Sequence, residues 1–446
     1  MAYWSDHSLS GAMQSAFGTP NTTDAEFVAL KCEVPTFTPD TEVAELDLLT
    51  GQPGAEPERM VGSRGGTLSF TIPLEGLKTG YDPTSDDPGD AGVIPFWLAM
   101  LANAMGSNLS GVSTAADFEA GLMCSVSQYT SAGVASATST AITLDNSTAS
   151  DKIDAGQLVC TALSATTTAI QMGYCKDKTG QVVTLFEASG QTVNSASGNV
   201  YGTGTAYASS EYVDQKALTL RWTGPDATFC YILQDCLVES CRITWESQAV
   251  PTAEFTLRFY NFSMDKTKGG LVTPDSFQRV PQIVGNSNGR ATINGSVQCG
   301  LESCTWEWTA TFTPVKCHSA SQGVSAVLIS KPRIRASFSV LHDSADLVYD
   351  AAGSAGNTGS HKWQSFLERQ SVVSIGVYVG TTIGRIWSLL IPAGRIIEVP
   401  SIELRGENSV AYTVQIGAGA YTGDTSDTAE TAANSPLDSI SRVALA

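Results

Sequence analysis

Two copies of one cysteine pattern are the first candidates for chemistry. Cys236-Leu-Val-Glu-Ser-Cys241 is echoed by Cys299-Gly-Leu-Glu-Ser-Cys304, and a tryptophan follows the second cysteine four residues later in both, as Trp245 and Trp308. Four thiolates can hold zinc, but a gap of five is wider than a zinc knuckle. On a straight strand it also sends the two sulfurs to opposite faces. The expectation is therefore small buried hydrophobes, with zinc as the alternative. Histidine is scarce: His7, His318, His342 and His361 are all there are. No acidic or thiol partners sit near them in a metal or triad spacing. Gly285-Asn-Ser-Asn-Gly289 matches a nucleophile elbow by letter. That elbow needs a strand before and a helix after, and Arg-Ala-Thr-Ile-Asn-Gly follows instead, so it reads as a polar linker. Carboxylates cluster at Asp40–Asp47 and Asp82–Asp90. The second cluster has the spaced aspartates of a calcium loop but lacks its required Gly and Glu, so it reads as a solvated loop. The sequence thus offers no catalytic, cofactor-binding or metal-ligating residue, and an enzyme is not expected.

The elements that carry these residues are mostly strands. Leu68, Phe70, Ile72 and Leu74 alternate with small or polar residues, as do Phe255, Leu257 and Phe259. Trp306, Trp308, Ala310 and Phe312 do the same, as do Ile334, Ala336, Phe338 and Val340, and Tyr412, Val414 and Ile416. A period of two marks sheets with one covered face. Two short helices are expected, at Ile94–Met105, with Trp97, Met100, Leu101 and Ala104 on one face, and at Ser360–Gln370. The fold class is mainly β, of sandwich or barrel type.

Composition narrows the function. Across 446 residues, 25 Lys and Arg stand against 44 Asp and Glu, a formal net charge of −19. Gripping phosphates needs the opposite balance. The longest apolar run, Val93–Met105, is too short and too interrupted to span a bilayer. The first residues lack the basic and apolar regions of a signal peptide, so synthesis in a cytoplasm and reduced thiols are expected. On that ground the Asn-x-Ser/Thr sequons at Asn21, Asn108, Asn146, Asn261 and Asn294 are chance matches.

The chain also repeats itself. Leu-Ser-Phe70-Thr-Ile leads to Tyr81-Asp82, and Ala-Ser-Phe338-Ser-Val leads to Tyr349-Asp350 at the same spacing. Phe37-Thr-Pro39 matches Phe312-Thr-Pro314, and Leu237-Val-Glu-Ser240 with Ile243 matches Ile397 through Ile402. One β-rich module used twice explains the shared order. The expected division is an N-terminal arm (1–30), module A (31–106 and 216–264), an inserted small β domain (107–215), a linker (265–287), module B (288–418) and a C-terminal arm (419–446). The insertion contains β runs such as Ala141–Leu144 and Val182–Leu185.

This order resembles the major tail tube proteins of long-tailed bacteriophages. The resemblance rests on Met13-Gln-Ser-Ala-Phe-Gly-Thr-Pro20, on Gly66-Thr-Leu-Ser-Phe-Thr-Ile-Pro-Leu-Glu75 with the acidic loop and helix after it, and on Cys236–Met264. A second copy runs from about Asn288 to Gly417. The resemblance implies β-sandwich modules whose rings stack into a virion tail tube, with assembly in a bacterial cytoplasm. Two modules per chain imply a trimeric, pseudo-hexameric ring. It also implies as partners other copies of this chain, a tape measure protein and terminator or tip proteins, with DNA passing through unbound and no membrane. An acidic lumen is expected to repel phosphates. The rival reading is a carbohydrate-binding or adhesin-like surface protein, with Tyr129 and Tyr201 of the insertion as exposed aromatics.

Overall fold

The structure is a computed structural model. It describes residues 7–46, 58–80, 94–105, 134–138, 140–144, 153, 156–163, 169–187, 198–202, 204–209, 215–224, 229–246, 249–265, 277–279, 289–293, 296–298, 301–317, 323–330, 332–341, 372–399, 401–405, 409–419, 421 and 439–445. Strands make up 68% and helix 5% of it, so the fold is mainly β, and one of its sheets is a half-barrel.

Five strands, β1 (Ser8–Met13), β2 (Val28–Leu30), β3 (Thr36–Leu46), β4 (Glu58–Pro73) and β5 (Glu75–Lys78), precede helix α1 (Phe96–Ala104). The insertion supplies β6 (Val134–Ala137), β7 (Ala141–Leu144), β8 (Leu158–Leu163), β9 (Ala169–Thr179), β10 (Val182–Leu185), β11 (Gly198–Gly202) and β12 (Gly204–Ser209). Next come β13 (Leu218–Thr223), β14 (Cys230–Glu246), β15 (Thr252–Phe259), β16 (Asn261–Met264) and β17 (Phe277–Arg279). They are followed by β18 (Gly289–Ile293), β19 (Ser296–Gln298), β20 (Leu301–Thr309), β21 (Phe312–Lys316), β22 (Val324–Ile329) and β23 (Arg333–Leu341). The chain closes with β24 (Val373–Val379), β25 (Trp387–Ile396), β26 (Ser401–Arg405), β27 (Ser409–Ala418) and β28 (Ser439–Leu445).

Eight of these strands lie side by side, all antiparallel, in the order β3-β4-β15-β14-β20-β23-β27-β26. The first four run in the spatial order first, second, fourth, third of their sequence, and the last four repeat it. Register places the repeated residues alike. Phe70 pairs with Phe255 and Phe338 with Val414; two residues before those partners, Ala253 pairs with Ile243 and Tyr412 with Ile402. The Phe-Thr-Pro match is out of step. Phe37 faces Leu68, two residues before Phe70, whereas the residue facing Ala336, two before Phe338, is Trp306. Phe312 belongs instead to the β21–β22 hairpin beyond.

Each run is backed by a second layer: β2-β1-β13-β14-β16 behind the first and β19-β18-β24-β25-β28-β12 behind the second. Strand β14 serves both layers, its start pairing with β13 and β16 and its end with β15 and β20. Two local features turn it. Asp235 takes a left-handed φ of 55° and accepts a hydrogen bond from the Gly18 N–H at 2.6 Å. Glu239 is then an extra residue, a bulge between Val238 and Ser240.

The helix at Phe96–Ala104 falls where its pattern predicts, but it buries all its residues rather than one face. It carries no charged residue and lies within the core, so it has no polar side to present. The second expected helix, Ser360–Gln370, lies outside the described residues. The stretches read as terminal arms contain paired strands: β1 joins β13 and β2, while β28 lies between β12 and β25 with Val443, Ala444 and Leu445 buried. The supposed linker contributes β17, paired with β5. Most of the insertion forms its own sheet, β11-β8-β9-β10-β7-β6, in which Ala141–Leu144 and Val182–Leu185 pair with each other. Its last strand, β12, belongs to the second run's outer layer. Among the described residues no helix is long and apolar enough to cross a membrane.

Candidate functional site

Cys236, Cys241 and Cys304 are small buried residues as expected, but the bulge at Glu239 overturns the expectation that Cys236 and Cys241 face opposite ways. The extra residue re-phases the strand, so Cys236 and Val238 before it and Cys241, Ile243 and Trp245 after it all enter the same core. Cys236, Cys241 and Cys304 are buried, and desolvation pushes their thiols up, away from the thiolate form a metal needs. Among the described residues no three His, Cys, Asp or Glu side chains gather as metal ligands.

The repeated Cys-to-Trp spacing has a packing purpose. Strands β14 and β20 are antiparallel, and their register sets Cys241 opposite Trp308, Ile243 opposite Trp306 and Trp245 opposite Cys304. Trp308 and Trp245 therefore each meet a small thiol across the ladder and Trp306 meets Ile243, which keeps the layer dense. Trp306 and Trp308 are 0% exposed. This ladder is where the two four-stranded runs join.

The outer strands of the eight-stranded sheet are different. Among the described residues β3 pairs only with β4, and β26 only with β27. Pro39 removes one donor from β3, as suits an edge strand. Beside this edge stand the half-buried Phe37, Trp222, Phe229, Tyr231 and Phe262, with Phe37 and Tyr231 stacked at 5.4 Å and Phe37 and Phe262 edge-on at 5.5 Å. Trp306, at the position equivalent to Phe37, is fully buried because β14 of the preceding run covers its strand. Between β25 and β26, at the opposite end, Ile397 and Val399 are exposed, Val399 to 72%.

The sheet face turned away from the core is polar, and register orders its charges. Glu254 of β15 pairs with Arg242 of β14, Arg242 with Glu307 of β20, and Glu307 with Arg335 of β23. Acid and base alternate across four strands and through the join. Flanking rows are hydroxyls, such as Ser69-Thr256-Ser240-Thr309. The Ser69 and Thr256 hydroxyls hydrogen-bond at 3.2 Å. From Leu237 onward, the charged residues of these four strands are Glu239, Glu246, Glu254, Glu302 and Glu307 against Arg242, Arg258, Arg333 and Arg335. Arg258 and Glu239 form an ion pair at 3.6 Å.

Neither a protein-family model nor a curated protein sequence matches this chain.

The remaining candidates of the sequence are dispersed. His7 rests near the Trp222 and Phe229 rings, at 6.1 and 5.9 Å between centroids. Asp40 is exposed on β3. Asn21 donates to the Met13 carbonyl and the Glu26 carboxylate, and Asn261 donates to Gln234. His318, His342, His361, Ser287, Cys299, Asp82–Asp90 and Tyr129 lie outside the described residues. Tyr201 pairs through its backbone with Cys160. The Glu–Arg row escaped the sequence reading. Its only signal was that each member sits on the polar phase of an alternating strand, and nothing in one strand says which charge will lie beside it in the next.

Proposed function

We propose that this chain is a tail tube protein of the long-tailed bacteriophage type, assembling edge to edge with its own copies into rings that conduct DNA. The observation that carries the reading is the join itself. Two four-stranded runs of identical order already meet in this chain through β14 and β20, and among the described residues the same kinds of strand have no outer neighbour at the two ends. A further copy placed on β3 or β26 repeats a contact that the fold makes internally. It also pairs edges that would otherwise invite irregular aggregation. The half-buried aromatics beside β3 and the exposed aliphatics near β26 are apolar surface of the kind such a contact covers.

Size supports the reading. Eight strands per chain give 24 in a trimer. At about 4.8 Å spacing and about 40° tilt the backbone ring is roughly 48 Å across, and inward side chains leave roughly 35–40 Å, wide enough for a duplex. Cyclic closure of three chains, each with two quasi-equivalent modules, gives a pseudo-hexamer. In such a ring the polar face lines the channel. Over its four central strands that face carries five carboxylates against four arginines, so there the charges nearly balance. Each arginine in the row has a carboxylate in register beside it. This arrangement offers phosphates no unbalanced positive stripe, and DNA slides past a surface of hydroxyls and cancelled charges.

Negative-stain microscopy of the purified chain and of Val399→Asp tests the proposal. Rings or tubes from the first, and folded monomers with unchanged circular dichroism from the second, are expected. Globular monomers at every concentration, or assembly indifferent to a charge at Val399, refute it.

A further inference from the structure

The insertion leaves the chain after α1, in the first half of the molecule, and returns at β13, also in the first half. Between those points it binds the second half. Glu187, 7% exposed just past β10, accepts hydrogen bonds from the Thr292 hydroxyl of β18 at 2.5 Å and the Ser374 hydroxyl of β24 at 2.6 Å. Arg290 of β18 donates to the Met172 carbonyl of β9 at 3.1 Å and lies over the Tyr378 ring at 4.3 Å. The Ser388 hydroxyl of β25 meets the Tyr174 hydroxyl of β9 at 2.8 Å, and Gln171 donates to the Gly380 carbonyl. Leu158, Cys160 and Tyr174 of the insertion share a buried cluster with Tyr378, Ile386, Leu390 and Ala444. Strand β12 then pairs with β28 of the second half while lying against α1 of the first.

We infer that the insertion is a strap that fixes the angle between the two four-stranded runs. The runs meet in the inner sheet through one ladder, Ser240–Glu246 against Thr309–Ser303. The rotation between neighbouring strands varies from about −10° to −35° among sheets, so a ladder by itself is a soft joint; the Leu77 N–H to Gly384 carbonyl bond at 2.9 Å and the packing of Val324 with Ala217, Leu237 and Tyr260 also link the halves. The insertion adds an attachment in the outer layer, with a buried carboxylate and several hydrogen bonds of its own, and narrows the freedom that remains. On the tube reading, to which this inference adds, the strap sets the curvature before assembly and so selects one ring size; the ordering is done within the chain rather than at each new contact.

The test uses the full chain, with Thr292→Val combined with Ser374→Ala, which leaves the Glu187 carboxylate without its two hydroxyl donors. Thr292→Ser, which keeps a hydroxyl, is the control. Losing two charge-assisted hydrogen bonds shifts undocking by a factor of about 10²–10⁴. Hydrogen exchange in β8–β10, β18 and β24 is expected to accelerate accordingly, with β4, β15 and β20 unchanged and the control like wild type. Spin labels carried by non-natural residues at Asp40 and Glu403, on the two outer strands, read the inter-run angle in the unassembled chain. A single narrow distance in wild type and a broadened one in the double variant support the strap. A narrow distance in both, or unchanged exchange, overturns it. This readout needs no rings, so a chain that never assembles refutes the tube reading while the distances still decide the strap. If rings form, wild type is expected in one size and the double variant in several; one size in both overturns the assignment of curvature to the strap.

Discussion

Exchanging Trp308 and Cys241 measures the join between the two runs. The two residues are direct partners across β14 and β20, and both are fully buried. Trp308→Cys alone empties most of an indole's volume and should cost about 3–5 kcal/mol, as Trp truncations in cores do. Cys241→Trp alone forces an indole against another and should cost about 1–3 kcal/mol or more in strain. Independent effects would sum to roughly 4–8 kcal/mol. The double exchange keeps the summed volume of the pair and should lie within about 1.5 kcal/mol of wild type. The resulting coupling is at least about 2.5 kcal/mol, the size reserved for residues in contact. Urea unfolding followed by circular dichroism supplies the four stabilities of the cycle. Additivity within about 0.5 kcal/mol would refute the register on which the whole eight-stranded order rests.

Two further outcomes follow from single side chains. Arg242→Glu sets three carboxylates in one row beside Glu254 and Glu307; a loss of about 1–2 kcal/mol is expected, shrinking in 1 M salt, and a salt-independent loss would argue against the ladder. Burial, with the Glu33 charge adding to it, pushes the Cys32 thiol up to about 12. At pH 8 the thiolate fraction is then about 10⁻⁴, so alkylation by iodoacetamide should be far slower than for a free thiol. Because the folded value lies above the unfolded one, the unfolded chain sheds this proton first. Stability should hold below about pH 8.5 and fall as pH rises from there toward 12. Rapid labelling, or alkaline stability unchanged by Cys32→Ser, would contradict this.

Much of the fold is legible in the chain because it depends on local alternation. Leu68, Phe70 and Ile72 all enter the core, as do Phe255, Leu257 and Phe259, because a period of two has one physical solution once a face is covered. The shared position of Phe70 and Phe338 follows for the same reason. Cys236, Cys241 and Cys304 are buried as expected, but a single residue keeps the spacing of five from sending Cys236 and Cys241 to opposite faces. Glu239 looks like any other residue of a strand, and only pairing against β15 makes it a bulge that brings Cys236 and Cys241 to one side. The stretch before Leu445 reads as an arm since seven residues carry little pattern, yet β28 is ordered by β12 and β25 from far away in sequence.

The charges show the same division. Composition alone established an acidic chain with few charged residues, because that depends only on what is present. Where the charge lies depends on which strand neighbours which. Glu254, Arg242, Glu307 and Arg335 come from four separate strands, and a slip of one residue in any of them would turn its charge toward the core. Tertiary pairing therefore decided that the four central strands set acid beside base and that, among the described residues, β3 and β26 each have a single neighbour.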